Sequence, residues 1–147
     1  MRTSATLRAC YFRLGEQTLA VTGEHLRQVV VVGSVTRVPR VGPELLGFFS
    51  VRGAILPLID LRPLLGLSDT SGTVGALAAL IEHEDRRIAL SLDEVLGFFP
   101  VEDAPTQAVN PKLAAFMLRS VASEGLSATL IDVGRIMSAL ERQLVVV

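Results

Sequence analysis

Short apolar runs, broken by Gly, Pro and charged turns, dominate the chain and predict a protein built mostly of β-strands. Residues 9–14 alternate, Gly15-Glu16-Gln17 interrupts them, and residues 18–22 resume, which predicts a hairpin. Residues 23–28 contain Leu26 as their one aliphatic side chain and predict a single helical turn. The β-branched run 29–32, closed by Gly33, predicts a buried strand. Residues 47–51 and 54–59 flank Arg52-Gly53, a second hairpin whose Gly supplies the positive φ of its turn. A third hairpin joins 76–81 to 87–92 through a charged turn, and 95–101 form a further strand. A polar loop with two prolines covers 102–111, and 116–121 pairs with 126–131.

Each half of the chain ends in the same way, with Ile-Asp followed by a helix (Ile59-Asp60 and Ile131-Asp132). Asp60 and Asp132 are read as N-caps, with Pro63 in the first turn of the first helix and Gly66 at its end. In the last helix Val133, Ile136, Met137, Leu140 and Leu144 fall on one face. About nine short strands predict a mostly β fold of two small barrels with terminal helices. Without long crossovers a parallel α/β sheet is not expected. The predicted organisation is a tail over 1–8, one domain of two lobes over 9–144 and a tail over 145–147. The linker-like stretch 68–75 marks the approximate divide between lobes.

Composition narrows the function. A chain of 147 residues is one domain long, and its single Cys10 allows no internal disulfide. Every apolar run is interrupted well short of the ~18 residues of a membrane span, and residues 1–8 lack the apolar core of a secretory signal. A cytoplasmic protein without direct membrane insertion is therefore expected. The net charge of −1 speaks against wrapping nucleic acid. Residues 1–70 carry a net +3 and 71–147 a net −4, a polarity suited to a protein-binding surface.

Signs of chemistry are missing. Neither a phosphate-binding Gly-x-x-x-x-Gly-Lys nor a Gly-x-Gly-x-x-Gly occurs, so no cofactor is expected. His25 and His83 are far apart in the sequence, in polar turns that predict solvated imidazoles, and Cys10 stands alone; no metal site is expected. The stretch Asp69-Thr70-Ser71-Gly72 reads as linker, and no Gly-x-Ser-x-Gly elbow is present. No catalytic residue is assigned. Arg52, a bulky cation at the tip of an apolar hairpin, stands out as either a solvated side chain or a partner contact.

The segments Phe12-Arg13-Leu14-Gly15, Leu26-Arg27-Gln28-Val29 and Val35-Thr36-Arg37-Val38-Pro39, with the continuous run from Leu46-Gly47-Phe48-Phe49-Ser50-Val51-Arg52-Gly53 to Pro57-Leu58-Ile59-Asp60-Leu61-Arg62, resemble the CheW family of chemotaxis coupling proteins. Residues 88–95 and Leu130-Ile131-Asp132 extend the resemblance over 9–144. It implies two intertwined five-stranded SH3-like β-barrels and a non-catalytic adaptor. The implied partners are the cytoplasmic tips of methyl-accepting chemoreceptors and the regulatory domain of a histidine autokinase, at the membrane-associated array. By the same resemblance a receptor-facing groove lies between the lobes, at Leu26, Gln28, Gly47, Ser50 and Arg52. The sequence departs from the family where Gln28 replaces a common acid, Ser50 a common Asn, and Ser120 a usual Gly. An adaptor for pilus-based surface motility fits the same motif. A small barrel binding nucleic acid or a small molecule is disfavoured by one Tyr, no Trp and the net charge.

Overall fold

The computed structural model describes residues 7–37, 42–67 and 74–144. Along the chain run β1 (Arg8–Leu14), β2 (Gln17–Thr22), β3 (Leu26–Val31), β4 (Leu45–Val51), β5 (Ala54–Ile59) and α1 (Arg62–Leu65). They are followed by β6 (Leu77–His83), β7 (Arg86–Leu92), β8 (Glu94–Pro100), β9 (Glu102–Asp103), α2 (Pro111–Ala114), β10 (Met117–Ser123), β11 (Leu126–Ile131) and α3 (Val133–Leu144). Two sheets result, in the orders β8-β1-β2-β11-β10-β9 and β3-β6-β7-β5-β4.

Both sheets close on themselves. Strands β8 and β9 are separated only by Val101, so the first sheet begins and ends on one bent strand and has five strands if that strand is counted once. In the second, the segment after β3 bridges back to β4, where Thr36 and Phe48 exchange backbone hydrogen bonds of 2.8 and 2.9 Å. The two sheets share one plan. A hairpin (β1–β2 or β6–β7) lies between a first strand and a second hairpin (β10–β11 or β4–β5), joined by one parallel contact, β2 to β11 or β7 to β5. The predicted five-stranded barrel lobes are thus present.

The lobes exchange hairpins. Strands β3 to β7 all belong to one sheet, although 68–75 interrupts them; the divide expected there separates two sequence repeats and not two lobes. Residues 68–73 lie outside the described residues. The reason is topological: β6–β7 pairs backward onto the first repeat, while β1–β2 pairs forward onto the second.

Exchange makes β1 and β2 bury both faces. Ala9, Tyr11 and Ala20 face a small core inside the six-stranded lobe with Val121, Ala128 and Leu130. Their neighbours Cys10, Phe12, Leu19 and Val21 face the large core between the lobes, which Ile59, Leu90 and the α3 residues Val133, Ile136, Met137 and Leu140 complete. A third core, with Phe49, Leu56, Leu58 and Ala89, fills the five-stranded lobe. Successive side chains of a strand point to opposite faces, which explains why Phe49 is buried and Phe48 only half-buried.

Four expectations need correcting. Residues 26–28 form strand and not a helical turn, since Gln28 pairs with Leu80 across β6. The run 29–32 lies on an outer strand, with Val31 77% exposed, and is not buried. The loop over 102–111 holds β9 and leads into α2, where the Asn110 side chain accepts a 2.8 Å bond from the Leu113 amide and Pro111 follows as the first helical residue. Asp60 is no simple cap: it is fully buried and ion-paired with Arg62. Asp132 caps as predicted, accepting from the Arg135 amide at 3.1 Å.

Candidate functional site

The β4–β5 hairpin closes with a two-residue turn, Arg52-Gly53, in which both residues have positive φ (51° and 85°). That backbone is the primed turn favoured by the twist of paired strands, and Gly53 adopts it freely. Arg52 adopts it as a non-glycine, so the turn fixes where its guanidinium departs. The residue is exposed and forms no ion pair among the described residues.

Beside this turn lies a pocket of about 320 Å³. Val51, Leu56, Leu80 and Ile81 give it an apolar lining, and Gln28 of β3 faces it from across the sheet. Three arginines, Arg27, Arg52 and Arg87, stand around it against one acid, Glu82. Both oxygens of Glu82 are already engaged, one by Arg27 Nε at 2.5 Å and the other by Arg87 Nε at 3.9 Å. The local excess is positive. An apolar floor with a cationic rim suits a protein surface that offers an aliphatic side chain beside a carboxylate.

Of the five residues expected at a groove, Gln28 and Arg52 line this pocket. Ser50 is exposed on β4, opposite the exposed Ile55. Leu26 is a member of the core between the lobes. Gly47 is buried: a Cβ there would stand 2.4 Å from the Thr36 carbonyl oxygen, so its lack of a side chain is what lets the barrel close. All pocket residues belong to β3 to β7 and the β4–β5 turn, so the pocket sits on the five-stranded lobe and not between the lobes. Arg27, Arg87 and Glu82 were not singled out in the sequence. Glu82↔Arg87 is a cross-strand pair whose signal is the β6–β7 register, whereas Arg27 needs the correct assignment of β3.

Elsewhere, His25 and His83 are not separate as the sequence suggested. Their ring centroids lie 5.2 Å apart, because the β2–β3 turn and the end of β6 are neighbours. No group of three or more metal-ligating side chains converges among the described residues.

Comparison with known proteins gives a consistent result. The family model of the CheW-like domain matches residues 8–141. The chain belongs to the CheW-like family. The chemotaxis protein CheW of Rhizobium meliloti is 27% identical over 137 residues, covering 90% of this chain and 88% of its own. CheW of Thermotoga maritima is 24% identical over 67% of this chain and 65% of its own. The scaffolding protein TtCheW from Thermoanaerobacter tengcongensis superposes with a TM-score of 0.72 at 21% identity, over 86% of this chain and 89% of that one. The relatives that this CheW-like chain matches carry the name of a chemotaxis protein, and the solved neighbour that of a scaffolding protein.

Proposed function

We propose that this CheW-like chain couples chemoreceptors to a histidine autokinase in a signalling array, and that the arginine-rimmed pocket receives the helical tip of the receptor. The observation that carries the reading is Arg52, held outward by a left-handed turn beside an apolar pocket and without an ion pair among the described residues. A guanidinium offers a planar fork of donors to a carboxylate or to helix-end carbonyls, and apolar side chains below it supply buried area. With Gln28 where an acid is common, the pocket keeps its positive excess and favours an acid-bearing tip.

The adaptor acts by binding alone. A second surface docks the regulatory domain of the kinase, and the coupling is the difference in contact free energy between the two signalling states. Among the described residues no helix is long and apolar enough to cross a membrane. Affinity capture of the chain from its native cell, followed by mass spectrometry, tests this reading. Recovery of a histidine kinase together with chemoreceptors supports it, and recovery of neither overturns it.

A further inference from the structure

The imidazoles of His25 and His83 belong neither to the pocket nor to a core, and they are brought together from opposite halves of the chain. The frame beneath them is hydrogen-bonded. Leu26 pairs with Ile81, the Glu82 amide donates to the His25 carbonyl at 2.9 Å, and the His25 amide donates to the Thr22 carbonyl at 3.2 Å. We propose that His25 and His83 together chelate one borderline divalent transition-metal ion such as Zn2+ or Ni2+.

Three features carry this assignment. Two imidazole nitrogens bound to one ion at about 2.0–2.1 Å, in tetrahedral geometry, set their ring centroids roughly 5 Å apart. The observed separation is 5.2 Å. His25 Nδ1 lies 3.4 Å from the Glu82 carbonyl oxygen, which can only accept, so this contact suits the tautomer that leaves the Nε2 lone pair to a metal. A backbone carbonyl behind the far nitrogen is the usual support of a ligating histidine. Each Nε2 also faces a carboxylate: Glu24 lies 4.0 Å from that of His25, and Glu84 lies 3.8 Å from that of His83. Both glutamates are largely exposed, and water fills the positions that the two rings leave open.

Opposing charges limit the affinity. Arg86 Nη2 stands 3.7 Å from Glu84, and His83 Nε2 abuts the first turn of α3 at Gly134, where the helix end is positive. Asp132, which caps that end, offsets part of this. The two rings are each about one-quarter exposed, so an ion reaches them from solvent. Bound there, it ties the turn leaving the six-stranded lobe to a hairpin of the five-stranded lobe and favours the folded state.

The test is calorimetric titration of the untagged full chain with Zn2+ and with Ni2+, with Mg2+ as a control, together with the ring resonances of both histidines in NMR. The expected result is saturable one-to-one binding of the transition metals, none of Mg2+, and concerted shifts of both rings. His25→Gln and His83→Gln, checked for folding by circular dichroism, should each weaken binding about tenfold or more. Absence of saturable binding and of ring shifts in the wild-type chain overturns the proposal. So does binding that persists unchanged in the folded double variant.

Discussion

Asp60 and Arg62 form an ion pair withdrawn from solvent on both sides: Arg62 Nε donates to Asp60 Oδ1 at 2.9 Å, with side chains 3% and 0% exposed. The Arg62 amide donates to the same oxygen at 3.0 Å, so one carboxylate both starts α1 and neutralises a buried guanidinium. Removing one partner of a buried pair leaves an uncompensated charge and costs about 3–5 kcal/mol. Asp60→Ala should lose that much in urea denaturation. The pair replacement Asp60→Leu with Arg62→Met should cost clearly less, because both charges of the pair leave together.

Gly47→Ala should be poorly tolerated although it adds one methyl group. Its Cβ would meet the Thr36 carbonyl oxygen at 2.4 Å and Val35 Cγ1 at 2.7 Å, at a φ of 150° that side chains rarely adopt. Overpacking of this kind costs roughly 1–3 kcal/mol. Thermal melting should show a large drop, with Gly53→Ala, which meets no atom within 4 Å, costing less.

Asp132→Ala removes the acceptor of the Arg135 amide and should cost about 0.5–2 kcal/mol in thermal denaturation, leaving partner binding intact in the folded fraction.

Local chemistry was readable in the sequence, and non-local pairing was not. The turn at Arg52-Gly53, the Asp132 cap and the apolar face of α3 each depend on residues within a few positions of one another. The buried Val133, Ile136, Met137 and Leu140 follow directly from their spacing, while the Leu144 side chain lies outside the described residues. Strand β3 was misread because Arg27 and Gln28 carry no strand signal; their place is set by β6, more than fifty residues later. Asp60 resembles a cap from its neighbours alone, and only the packing of two repeats shows that it is buried. The site was legible in part for the same reason. Arg52 declares itself at a hairpin tip, whereas Arg27, Glu82 and Arg87 join it only through the register of β3, β6 and β7.

Burial of Cys10 has a signature in pH. The thiol is fully buried, which pushes its pKa from the ordinary 9.0 up to about 11. Below pH 9 the thiol is protonated in both folded and unfolded chains and contributes no pH dependence. Between pH 9 and 11 the unfolded chain ionises first and is favoured, so stability falls as pH rises, by about 2–3 kcal/mol over that window. Denaturation curves of the wild type and Cys10→Ala from neutral to alkaline pH should run parallel below pH 9. Above it the wild type should lose stability faster.

In the proposed assembly Arg52 and its pocket receive the receptor tip. The most direct measurement is titration of the chain with a soluble cytoplasmic fragment of its receptor, wild type against Arg52→Ala and Arg52→Lys, alongside thermal denaturation of each. An exposed turn residue without an ion pair among the described residues should change stability by no more than about 0.5 kcal/mol on truncation. Loss of charge-assisted hydrogen bonds should weaken binding by about 1–3 kcal/mol. Lys, lacking the planar fork, should restore only part of it. Unchanged affinity in a folded Arg52→Ala, or no binding by the wild type, would contradict the assignment.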